Sequence, residues 1–158
     1  MTIQIISSRS TSVASLGQDR VEIRRTLGTY RTFRRTPLSE ESDHFIEIGV
    51  IVTYSAAGVV TMMEFLEPAR IACERVQLLG EPLDAVAALL ATSGVEFEPD
   101  GLGGMIPSLS AGVYAPAGVI EGVQLGSDLT AWSPRTASPG GCTAAPRCGL
   151  GGAQRSSR

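Results

Sequence analysis

Leu16-Gly17-Gln18-Asp19-Arg20-Val21-Glu22-Ile23-Arg24-Arg25-Thr26-Leu27 has a counterpart at Leu79-Gly80-Glu81-Pro82-Leu83-Asp84-Ala85-Val86-Ala87-Ala88-Leu89-Leu90. Both open on Leu-Gly and then carry apolar residues at helical spacing, Ile23 and Leu27 in one, Val86 and Leu90 in the other. Further on, Tyr54-Ser55-Ala56-Ala57-Gly58-Val59-Val60 is echoed by Tyr114-Ala115-Pro116-Ala117-Gly118-Val119-Ile120. The separation is nearly constant, and in both halves a helix-like segment precedes strand-like ones. Self-similarity of this kind decides the architecture before any single residue does. It predicts one tandem-repeat domain over residues 1–125, with unit one at about 15–66 and unit two at about 78–125.

Working outward, Ile3–Ile6 reads as a short strand. Gln18–Leu27 reads as a helix opened by Ser15 or Gly17, with Gly28 placed for a left-handed C-cap. Leu16, Ile23 and Leu27 share its apolar face with Arg20 at the edge, while Asp19, Glu22 and Arg25 point outward. Tyr30–Arg34 reads as a strand and Thr36–Asp43, with Pro37, as an exposed polar loop. Phe45–Ile48 and Val50–Tyr54 are strand material, and Gly58 turns the chain into a hairpin with Val59–Phe65. In the second half Ile71–Leu78 reads as a strand and Leu83–Ala91 as a helix, with Pro82 near its first turn. Its stripe is Leu83, Val86, Leu89 and Leu90. Val95–Glu98, Met105–Ile106, Gly112–Tyr114 and Val119–Leu125 follow as strands. A helix with one apolar stripe must cover an apolar sheet face. The expected class is α+β: two helix-then-antiparallel-meander units forming a sheet with both helices on one face. Residues 126–158 change character to Gly, Pro, Ser, Ala and Arg, and are expected to be a disordered tail.

A helix-then-meander unit used twice resembles the tandem architecture of the β-lactamase inhibitor protein-like modules and their structural relatives. Val21-Glu22-Ile23-Arg24-Arg25-Thr26-Leu27-Gly28 is similar to the helix-ending pattern of those modules. The resemblance spans residues 15–125 and implies a protein-binding role. The chain departs from those families in lacking an export signal, a lipidated cysteine and paired core cysteines, so no binding residue carries over from them.

Composition narrows the classes. The chain has 158 residues, 43% hydrophobic and 18% charged, with a formal net charge of −3. No apolar run is long enough to span a bilayer, and Met1–Ser8 lacks a charged n-region and a long apolar h-region. A cytoplasmic protein without membrane partners is expected. Cys73 stands apart from Cys142 and Cys148, which fits a reducing compartment. All thirteen basic residues are arginine, the mark of a GC-rich, bacterial gene. Residues 1–125 hold fifteen acids against nine arginines, an acidic balance that argues against nucleic acid.

Candidate chemistry is sparse. His44, the one histidine, follows Glu40, Glu41 and Asp43, yet adjacent strand residues point to opposite sides and do not converge. Neither histidine–cysteine spacing nor a calcium loop is present, so no metal or cofactor is expected. Cys73, between apolar residues and beside Glu74 and Arg75, reads as a small core residue rather than a nucleophile. Asp100-Gly101-Leu102-Gly103-Gly104 leads into Met105-Ile106-Pro107 and not into a helix, so it reads as a turn between strands rather than a phosphate cradle.

The sharp feature is the run of arginines at 20, 24, 25, 31, 34 and 35. Alternation sends Arg31 and Arg35 to one face and Arg34 to the other, and Glu22 pairs on the helix. The matching stretch of the second unit, Val95-Glu96-Phe97-Glu98, is acidic, so the two halves, or two protomers, could meet through these charges. The expected function is a non-catalytic protein-binding module, immunity- or inhibitor-type, with another protein as partner. Its contact residues are Tyr30, Arg31, Phe33, Arg34 and Arg35, types favoured at hot spots, with Pro37–Asp43 at the rim. The rival expectation is a small-ligand binder or minor enzyme, using a helix–sheet pocket with His44, Glu47, Tyr54 and Glu64. There, alternation would turn Glu64 inward.

Overall fold

A computed structural model of the chain describes residues 1–126; the expected tail lies outside them, apart from its first residue, Gly126. Twelve strands and two helices run in this order: β1 (Ile3–Ser7), β2 (Ser10–Thr11), α1 (Arg20–Leu27), β3 (Arg31–Phe33), β4 (Glu41–Phe45), β5 (Val50–Tyr54) and β6 (Val60–Leu66). Then come β7 (Ile71–Cys73), β8 (Val76–Gln77), α2 (Leu83–Thr92), β9 (Glu98–Pro99), β10 (Gly103–Ile106), β11 (Ala111–Tyr114) and β12 (Gly122–Gly126). The class is α+β, and there are two sheets. The larger has eight strands in the order β3-β4-β5-β6-β12-β11-β10-β9, and the smaller has four in the order β2-β1-β7-β8. All pairings in the larger sheet are antiparallel, with β6 and β12 meeting at its centre. In the smaller sheet β1 and β7 run parallel.

The same elements occur in the same order on either side of the β6–β12 junction, and their hydrogen bonds correspond. Gly17 N donates to Val60 O at 2.7 Å, and Gly80 N to Ile120 O at 2.9 Å. Val60 N donates to Gln18 O and Ile120 N to Glu81 O, at 2.9 and 3.0 Å. Arg20 N reaches Gly58 O and Leu83 N reaches Gly118 O, both at 2.9 Å. Each helix thus starts from a short bridge to the turn that ends its own β-hairpin.

Local chemistry accounts for the differences from sequence expectation. The first helix is opened by Asp19, whose side chain accepts from Val21 N at 2.8 Å, rather than by Ser15 or Gly17. Gly28 ends it with φ 87° and ψ −134°, a positive φ outside the left-handed helical well. On α2, Leu89 is 54% exposed, so the buried stripe narrows to Val86 and Leu90. Phe45–Ile48 does not continue as strand: Ile46–Ile48 forms a 3-10 turn, matched by another at Pro107–Leu109.

The core is one cluster. Ile23, Val86 and Leu90 from the helices join Phe45, Val50, Val52, Met63, Phe65, Ile106, Val113 and Leu125 from the large sheet, and Ile3, Ile71 and Cys73 from the small one. Along the large sheet these inward residues alternate with an outer face that carries His44, Ile51, Glu64, Gln124 and Met105. β5 has five residues and β11 four. Tyr54 therefore follows Val50 and Val52 into the core, whereas Tyr114, its counterpart in the sequence echo, is out of step with Ala111 and Val113 and falls opposite Gly122 on the outer face.

Candidate interaction surface at the β3 edge

Thr36–Asp43 is not an exposed loop to its end. Pairing with β5 draws Glu41–Phe45 into the sheet, and Asp43 becomes fully buried at 0% exposure. Two turns of α1 lie above it. Arg24 Nε donates to Asp43 Oδ2 at 2.7 Å and its Nη2 to Oδ1 at 3.0 Å, a bidentate pair. Thr32 donates its hydroxyl to Oδ1 at 2.6 Å, and Arg20 Nη2 stands 3.4 Å from the same oxygen. Arg20 Nη1 binds Glu41 Oε2 at 2.7 Å, and Arg34 Nη2 lies 3.2 Å from Oε1. Burial opposes the Asp43 charge, but the Arg24 and Thr32 hydrogen bonds and the Arg20 charge outweigh it and hold its pKa at about 2. Arg20 and Arg34 likewise lower Glu41.

This network fixes β3 to the body of the protein. Thr32 ties the strand to Asp43, and the Tyr30 ring stacks under the Arg24 guanidinium at 4.2 Å and against Phe45 at 5.8 Å. Of the sequence-predicted contact residues, Tyr30, Arg31, Phe33, Arg34 and Arg35 therefore lie together on the edge of the large sheet. Arg31 pairs in register with His44 and Phe33 with Ser42. Arg35 reaches across the outer face to Glu64, and Arg34 turns to the other side, to Glu41 and the Ser39 carbonyl. Arg31 makes no ion pair among the described residues. Arg20, expected at the edge of the helix's apolar face, and Arg24, counted only in the arginine run, are the ones that face the buried carboxylate.

The four residues predicted for a pocket are not brought together. His44 and Glu64 sit on the outer face, separated by Ile51 on β5. Tyr54 lies on the inner side, and Glu47 is exposed on the 3-10 turn. Glu64 does not turn inward, because Met63 and Phe65 take the buried positions of β6. Tyr54 has no hydrogen-bond partner for its hydroxyl among the described residues. Burial, then the nearby Asp43 charge, raises the phenol's pKa, so it stays protonated. Its ring, under Arg20 at 4.9 Å, helps line an open cleft of about 420 Å³ with Arg20, Arg34, Glu41, Ser55 and Gly58. Cys73 is buried, and burial and then Glu74 raise its thiol. Asp100 accepts from Leu102 N at 3.0 Å in a turn leading to β10. No cluster of three or more metal-ligating side chains occurs among the described residues.

The second half builds the same junction without charge. Leu83 and Ala87 stand where α1 has Arg20 and Arg24, and Gly104 pairs with Val113 as Asp43 pairs with Val52. A Cβ on Gly104 would stand 2.5 Å from the Phe97 ring, so the aromatic ring takes up the space beside Gly104 that the Asp43 side chain fills in the first half. The acidic β9 forms the opposite edge of the sheet from β3. The halves therefore do not meet through their opposite charges; they meet through β6 and β12.

No protein family, curated protein or solved structure matches the chain.

Proposed function

We propose that this chain is a non-catalytic, cytoplasmic protein-binding module of the immunity or inhibitor type, built from two copies of one unit. The corresponding bridges at the start of α1 and α2 support the duplication. The shared core of Ile23, Val86 and Leu90 supports placing both helices on the inner face. That arrangement is the one implied by the resemblance to β-lactamase inhibitor protein-like modules. It leaves the outer face and the β3 edge for a partner.

The observation that carries the proposal is the β3 edge itself: the buried network holds the strand that presents Arg31 and Phe33, with Arg35 beside them paired to Glu64. Arginine and aromatic residues on a rigid element are the composition of binding hot spots. The electrostatics favour an acidic partner, steered by charge.

The test is affinity capture from source-organism lysate on the immobilised full chain. A stoichiometric protein is expected at low salt, released at high salt. The double variant R31E/R35Q should retain less than about a tenth of it while melting within a few degrees of the wild type, because Arg31 is exposed and glutamine at 35 sets no second carboxylate against Glu64. Equal capture by the folded variant overturns this surface. A second reading, a small polar ligand, is favoured by the cleft between Arg20, Arg34 and Tyr54. Thermal stabilisation by a metabolite, abolished in Arg34→Ala, would select it.

A further inference from the structure

We infer that β3 receives an extended, acidic segment of another protein as a ninth strand of the large sheet. This rests on the protein-binding reading above and specifies how that partner is held. The large sheet ends in two edges of unlike chemistry. β9 is two residues long and its second is Pro99, which has no amide hydrogen to offer. β3 contains no proline, is paired with β4 on one side, and among the described residues has no neighbour on the other. An edge of that kind presents unpaired N–H and C=O groups, the template for strand addition.

Order and charge select the occupant. Thr32 and Tyr30 pin β3 through Asp43 and Arg24, so little chain entropy remains to be lost on pairing. Arg31 and Phe33 share one face of the strand, with Arg35 beyond them. A second copy of β3 brings a second Arg31 and no carboxylate to meet the first, and β9 of a second copy offers a proline. An acidic strand suffers neither penalty. Pairing with it requires a carboxylate opposite Arg31 and an apolar side chain two positions away, opposite Phe33.

The test uses the full chain and short synthetic peptides that carry glutamate and valine two positions apart (Glu-Thr-Val at the centre), or lysine and valine in the same places (Lys-Thr-Val). The glutamate peptide is expected to bind and to slow amide exchange within β3. N-methylation of a single peptide nitrogen on the pairing side should weaken binding by about tenfold, the loss of one such hydrogen bond, with the protein itself left unaltered. Arg31→Glu should invert the preference toward the lysine peptide. Failure of the glutamate peptide to bind, or binding indifferent to N-methylation, overturns strand addition. If capture from lysate still depends on Arg31 and Arg35 in that case, the surface stands and only the mode of pairing is wrong. If capture is indifferent to them, the surface itself fails.

Discussion

Asp43→Ala is expected to destabilise the protein by about 3 kcal/mol, near the lower end for breaking a buried ion pair. The carboxylate is wholly buried, while Arg24 and Arg20 keep 28% and 21% of their side-chain surface. Removing the anion leaves the Arg24 guanidinium partly desolvated without a counter-charge and Arg20 with Glu41 alone, but water can still reach both. Thr32 loses its acceptor, and with it β3 loses its side-chain tie to β4. Urea denaturation measures the loss, and a change below about 1 kcal/mol would mean that the network is not what holds β3. Acid provides a second readout. The folded pKa of Asp43 is about 2, below the unfolded carboxylate's value of about 4. Its contribution is therefore complete above about pH 4 and is lost as pH falls toward 2. In that window the wild type should lose about 2 kcal/mol more than Asp43→Asn does.

Gly49→Ala is expected to cost at least about 3 kcal/mol, from backbone strain and a steric conflict together. Gly49 ends the first 3-10 turn with φ 66° and ψ 34°. A Cβ there would stand 2.6 Å from the Ala69 nitrogen, with the chain leaving β6 directly against it. Ser110 ends the second 3-10 turn at φ 45° and ψ 45°. A side chain is accommodated at that position, so Ser110→Gly should change stability by less than about 1 kcal/mol. A near-equal effect of the two substitutions, read as urea midpoints, would show that the close approach at Gly49 is relieved cheaply.

Both helices were legible because helical periodicity is a local signal. The start of α1 was not, since Asp19 competes with Ser15 and Gly17 as a cap, whereas its end at Leu27 before Gly28 was. Asp43 was the largest omission. Ser39-Glu40-Glu41-Ser42-Asp43-His44 reads as solvated loop, and its burial depends on side chains from a helix far away in sequence. One signal was available: Arg20 and Arg24 recur with Ile23 and Leu27 on one helical face, where α2 has Leu83 and Ala87. Cations on a core-facing stripe call for a buried anion elsewhere. Tyr54 and Tyr114 mislead for a different reason: β5 is one residue longer than β11, so tyrosines that match in the echo fall on opposite faces. The arginine-bearing edge was legible in its alternation of Arg31, Arg34 and Arg35, though the strand's position in the sheet was not.

Amide hydrogen exchange of the full chain, alone and bound to the protein it captures, tests the proposed surface most directly. Protection should appear in β3 and in the neighbouring β4–β6 amides of the outer face, with α2 and the four-stranded sheet unchanged. Protection confined to α2, the small sheet or the Arg20–Tyr54 cleft, with β3 exchanging as in the free protein, would contradict it.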